Sequence, residues 1–170
     1  MPIPQELGHN NRSALSLLVL AGVLTAVTDG LFSSVLSVAF YHSTVMRLFQ
    51  GVAGVVLGQT TFDGGIETAA LGVLMHLGVA LGWSAVFLGL IDRSRWIRRL
   101  LSSPYGVLKI ASLYGPFIWM VMSLAVIPIL LHRPPAITAR WWTQLIGHIL
   151  FVGLPIVSVC KALPASERAS

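Results

Sequence analysis

GIETAALGVLMHLGVALGWSAVFLGLI, from Gly65 to Ile91, decides the fold. The 24 residues between Glu67 and Asp92 contain no Asp, Glu, Lys or Arg. A helix rising ~1.5 Å per residue needs about 20 residues to cross a ~30 Å hydrocarbon layer, so the stretch is a transmembrane helix. His76 is its one ionisable residue away from the ends, a turn from Gly72 and two turns from Trp83. Gly72 and the pair Gly78-x-x-x-Gly82 are expected to let other helices approach closely.

The rest of the chain agrees. Of its 170 residues 55% are hydrophobic and only 10% charged, with a mean hydropathy of +0.82, far from the roughly 25% charged residues of soluble domains. The isoelectric point near 10.2 would point to nucleic acid in a soluble protein. No basic tract with interleaved aromatics supports that, and the Lys and Arg residues are better read as topology determinants and headgroup contacts. Cys160 stands alone, which excludes an intrachain disulfide and a CxxC metal site.

Working outward, four spans are expected at about 14–40, 66–91, 105–131 and 141–160, forming one membrane domain over 14–161 with polar tails at 1–13 and 162–170. The first resembles a signal peptide at its start, but apolar sequence continues past Asp29 to Phe40. Between the first two spans, Val45 to Gln59 is apolar yet broken by Arg47, Gln50 and three glycines. Too short to cross, it reads as an interfacial or re-entrant helix. The fold class is therefore all-α, a four-transmembrane-helix bundle with this short helix at one mouth. Pro116 and Pro128 are expected to kink the third span, and Trp141 and Trp142 to mark the interface where the fourth begins.

Arg93, Arg95, Arg98 and Arg99 follow the second span directly. With both ends and this connection on one side, that side collects Arg12, the four arginines, Lys109, Lys161 and Arg168, against Arg47, Arg133 and Arg140 on the other. By the positive-inside rule both termini are cytoplasmic.

In the first span Thr25, Asp29, Ser33 and Ser37 recur every four residues and so share a face. Depths follow from helical rise: His76 lies ~15 Å and His148 ~10 Å below the outer ends of their spans, and Asp29 ~20 Å above the inner end of its own. All three fall in one layer. Charge in hydrocarbon costs ~3 kcal/mol or more, so they should face the bundle interior, with Gln144 one turn before His148 and Gly147 beside it as a packing position.

Four uses of such a cluster compete. It can pin helix register; it can relay or sense protons or small ions, with Glu67, Gln59 and Gln144 lining an outward cavity; His76 and His148 can ligate a haem; or the set can hold a catalytic metal. The last lacks HExxH or a second carboxylate at ligand spacing, and no CxxCH or GxSxG is present, so neither catalytic residues nor a metal are assigned. A non-enzymatic protein is expected, with lipid as its partner and no nucleic acid. Packing through Gly78 and Gly82 into a homo-oligomer or a membrane complex is the alternative.

The acidic first span, the glycine-rich segment ending in FDGG, LMHLGVALGWSAVF, VIPILL and the closing GHILFVGLPI together resemble small bacterial inner-membrane proteins of four spans. More distantly they are similar to YagU-like proteins, with intramembrane histidines and a late GH motif. The resemblance covers about Ala14 to Lys161 and matches His76, Gly147 and His148. It implies a bacterial inner-membrane location and a loose association with acid tolerance. It implies no enzyme activity or cofactor.

Overall fold

The computed structural model describes residues 6–162, with side chains from residue 14 onward. Among the described residues four helices are long and apolar enough to cross a membrane: Ala14–Phe40, Gly65–Arg93, Gly106–Leu131 and Ala139–Cys160. No strand occurs among the described residues. The chain is a multi-pass membrane protein, and large apolar side chains such as Leu20, Val27, Leu31 and Leu74 cover its outside. Only a lipid surround makes such an exterior favourable. The first helix already begins at Glu6, inside the tail expected at 1–13. The side chain of Arg12, all of Arg168 and most of the C-terminal tail lie outside the described residues.

Small residues set the close crossings. A Cβ at Gly72 would collide with the Phe49 carbonyl, and Gly115 and Gly153 meet the backbones of His148 and Ala111, so the third and fourth spans touch backbone to backbone. Gly147 receives the ring of Phe32, which stacks on Phe151 with centroids 4.4 Å apart. Gly78 and Gly82, expected to let another helix approach, meet none from this chain: nothing lies within 4 Å of a Cβ built at either, because both face outward from the bundle.

Proline acts in two of the places where it could disturb a span. The third span passes through a π turn at Met122–Val126 just before Pro128, and the fourth through another at Ile149–Gly153 just before Pro155. Pro155 has no N–H to give to the preceding turn, and the Phe151 carbonyl there accepts from Thr28 Oγ1 at 2.7 Å. Pro116, expected to kink the third span, sits inside uninterrupted α-helix.

The two ends of the bundle differ. At one, Phe87, Ile91, Leu101, Ile110, Val157 and Cys160 pack into a fully buried apolar plug. There the arginine segment, expected as a plain connection, forms a short helix Arg95–Leu101 capped by Ser94. Its Arg98 donates to the Ile91 carbonyl at 2.7 Å, closing the carboxyl end of the second span, while Arg93, Arg95 and Arg99 are exposed. At the other end lies the short helix Val45–Leu57, capped by Thr44. It stops two residues before the expected Gln59 because Gly58 turns to φ +82°, which ends the helix and admits a 3₁₀ turn at Gln59–Asp63. Gln50, a polar break in the sequence pattern, is buried and donates to the Gly65 carbonyl at 2.9 Å, fastening the short helix to the second span.

Candidate functional site

The four-residue rhythm of the first span turns Thr25, Asp29, Ser33 and Ser37 towards the interior, where Thr25, Asp29 and Ser37 are buried. Opposite them, the second span supplies His76 and the fourth supplies Gln144 and His148. A cavity of about 360 Å³ lies between, lined by Thr25, Asp29, Ser33, His76, Gln144 and His148 at its polar end.

Asp29 Oδ2 stands 3.6 Å from His76 Nε2, within ion-pair range and longer than a hydrogen bond. One dissociable proton makes this pair neutral overall wherever it resides, and its loss makes the pair anionic. Phe49 of the short helix lies edge-on to His76, with ring centroids 6.1 Å apart, and Gly30 leaves room beside the imidazole. His148 Nδ1 donates to the Gln144 carbonyl at 2.8 Å, which commits that nitrogen and fixes the tautomer of a neutral ring. The Trp119 ring lies against it at 4.9 Å, and a π turn begins at the next residue. Such turns often mark functional positions in helices.

The Gln144 amide is oriented by its Nε2, which donates to Ser33 Oγ at 3.2 Å. Its Oε1 makes no hydrogen bond, nor do Thr25 Oγ1, Asp29 Oδ1 or His76 Nε2, the last having only the longer ion-pair contact with Asp29. All four atoms are buried, and all four residues line the one cavity. Buried polar atoms are almost always paired, and each orphan costs ~1–3 kcal/mol. Four on one cavity describe a surface made to meet something polar.

At the rim Arg140 donates to Ser37 Oγ at 3.1 Å and lies over the Tyr41 ring at 4.7 Å, tying the first and fourth spans together. Beside it Trp141 Nε1 donates to Ser123 Oγ at 2.8 Å and Trp119 Nε1 to the Trp141 carbonyl at 3.1 Å. Trp141, expected at the interface with Trp142, is therefore buried, and only Trp142 faces outward. Glu67 and Gln59, expected in the cluster, are exposed and do not line the cavity: Gln59 opens the 3₁₀ turn and Glu67 lies in the first turn of the second span, both with outward side chains.

Sequence reasoning missed the walls. Leu48, Phe49, Val52, Val55 and Val56 of the short helix all line the cavity, as does Trp119. Their spacing of three and four residues is the one signal that could have shown a helix face turned to the bundle. Nothing in the apolar run from Phe117 to Met122 distinguishes Trp119. No protein family, characterised protein or solved structure matches this chain.

Proposed function

We propose that this protein is a non-enzymatic membrane protein in which Asp29, His76, Gln144 and His148 form a binding and proton-sensing site reached from one side only. The observation that carries it is the convergence on one cavity of four buried polar atoms that make no hydrogen bond. The apolar plug of Phe87, Ile91, Ile110 and Val157 supports sensing over conduction, since the buried hydroxyls beside it, Ser84 Oγ and Tyr114 Oη, already donate to the Ala80 and Trp83 carbonyls. With the orientation expected from the arginine count, and the bacterial inner membrane implied by the YagU-like resemblance, the cavity lies towards the outer face.

Trp119 touches His148 and reports on the cluster. In proteoliposomes its fluorescence should follow a pH titration that Asp29→Asn abolishes or displaces, with no accompanying proton flux. An unchanged titration in the variant removes the sensing role. A flux that Asp29→Asn abolishes demands a path through the plug and overturns the one-sided site.

A second use, as a subunit of a membrane complex, is favoured by the outward faces of Gly78 and Gly82, which are free to accept another helix. Cysteines placed at those positions would crosslink to a partner span in native membranes if it holds.

A further inference from the structure

We infer that the cavity takes a neutral, hydroxyl-headed amphiphile whose apolar body enters sideways from the bilayer. The inference rests on the binding site proposed above and names its ligand class. Its first support is the division of the walls. Away from the cluster, and from Arg140, whose guanidinium is engaged by Ser37 Oγ and the Tyr41 ring, the cavity is lined by Val52, Val55, Met75, Val79, Met122 and Val126, which offer nothing to a hydrated ion or a charged solute. A molecule filling this space must be apolar over most of its surface and polar at one end.

The second support is the chemistry of that end. Gln144 Nε2 is committed to Ser33, so the free Oε1 is purely an acceptor. Asp29 Oδ1 and Thr25 Oγ1 also lack partners, and Thr25, Asp29 and Gln144 are only 3%, 8% and 5% exposed. The Gln144 and Asp29 oxygens held this deep call for a donor, the Thr25 hydroxyl can give or take a hydrogen bond, and an uncharged hydroxyl answers both without carrying a charge past apolar walls. His76 Nε2, close to the carboxyl group of Asp29, can answer the hydroxyl's own lone pairs.

The third support is the route. The short helix is bound to the second span at Gly72, Gly65 and Thr68, so the two form one wall. That wall meets the third span through Trp83, Phe87, Tyr114 and Phe117, with Tyr114 Oη donating to the Trp83 carbonyl at 2.7 Å. Nearer the mouth the facing residues are Met75 and Val79 across from Met122 and Val126, all of which line the cavity, and Val79 is 39% exposed. Met75, Met122 and Val126 are half-buried, and this seam is the route we assign to the amphiphile. The volume of about 360 Å³ suits a head and the first part of a chain, in the range of ~300–1,000 Å³ usual for small-molecule sites, with the remainder trailing through the seam.

The test uses the full chain in saturated-lipid nanodiscs and native mass spectrometry, with three probes of matched body: 4-dodecylphenol, 1-dodecanol and dodecylbenzene. One hydroxylated probe should be retained saturably at one molecule per chain, and dodecylbenzene should not. Preference for the phenol or for the alcohol identifies an aromatic or an aliphatic source for the same chemistry. Gln144→Leu should weaken retention at least tenfold, and Thr25→Val serves as a second variant should the first fail to fold. Equal retention of dodecylbenzene, failure of both hydroxylated probes, or full retention by the folded variants overturns the inference. A Trp119 titration that persists while no probe binds removes this ligand class and leaves the sensing site standing.

Discussion

Replacing Gln144 by leucine separates a binding site from a structural pin. The substitution removes an unpartnered buried carbonyl oxygen, which by itself relieves ~1–3 kcal/mol. It also removes the donation from Nε2 to Ser33 Oγ, worth ~0.5–1.5 kcal/mol in water-soluble proteins and about 0.6 kcal/mol on average between membrane helices. Ser33 loses little more, since its hydroxyl can turn to a carbonyl one helical turn back. The difference leaves the variant between about equal in stability and about 2 kcal/mol more stable. Water resting on Oε1 in the wild type would move the result to the lower end. The assay is reversible unfolding in mixed micelles, followed by tryptophan fluorescence, with ligand retention measured on the same samples. A variant less stable by more than about 1 kcal/mol would show that Gln144 holds the helices together, and the reasoning from orphaned atoms would fail. A stable variant that no longer binds is the signature of a polar group kept for function at the expense of the fold.

Further outcomes follow from the same geometry. Gly72→Val should drive the short helix off the second span at a cost of ~1–3 kcal/mol or more, seen as a lower unfolding midpoint and as proteolysis near Gly58. Gly78→Leu and Gly82→Leu should leave the stability of the isolated chain within about 0.5 kcal/mol of wild type, and any loss of a crosslinked partner would assign that face to assembly. Cysteines introduced at Gln59 and Ser102 should be labelled by an impermeant maleimide from opposite sides of the membrane, Gln59 from outside; the reverse pattern inverts the orientation. A Soret band in protein expressed with haem precursor would place iron between His76 and His148 and displace the amphiphile from the cavity.

How much was legible beforehand differs between the fold and the site. Apolar length between charges located all four spans within a few residues, because crossing hydrocarbon is a one-dimensional requirement that sequence states directly. The inward face of Asp29 was equally legible, since one acidic residue among serines and threonines at helical spacing has few places to go. Depth counting put Asp29 and His76 in one layer, and they lie 3.6 Å apart across it. Glu67, named with Gln59 and Gln144 as a lining of an outward cavity, is not among its walls, because nearness to the mouth says nothing of the direction in which a side chain at a helix end will point.

Composition and periodicity by themselves determined that this chain crosses a membrane four times and carries its rare polar groups inward, since lipid penalises every other arrangement. Tertiary structure alone decided which glycines pack, that the short helix walls a cavity, and that one half of the bundle is plugged while the other is hollow. Those outcomes depend on the rotation of each helix about its axis and on which backbones meet. Four apolar helices in an apolar solvent leave both nearly free until glycines, prolines and hydrogen bonds between distant residues, such as Thr28 with Phe151, select one arrangement.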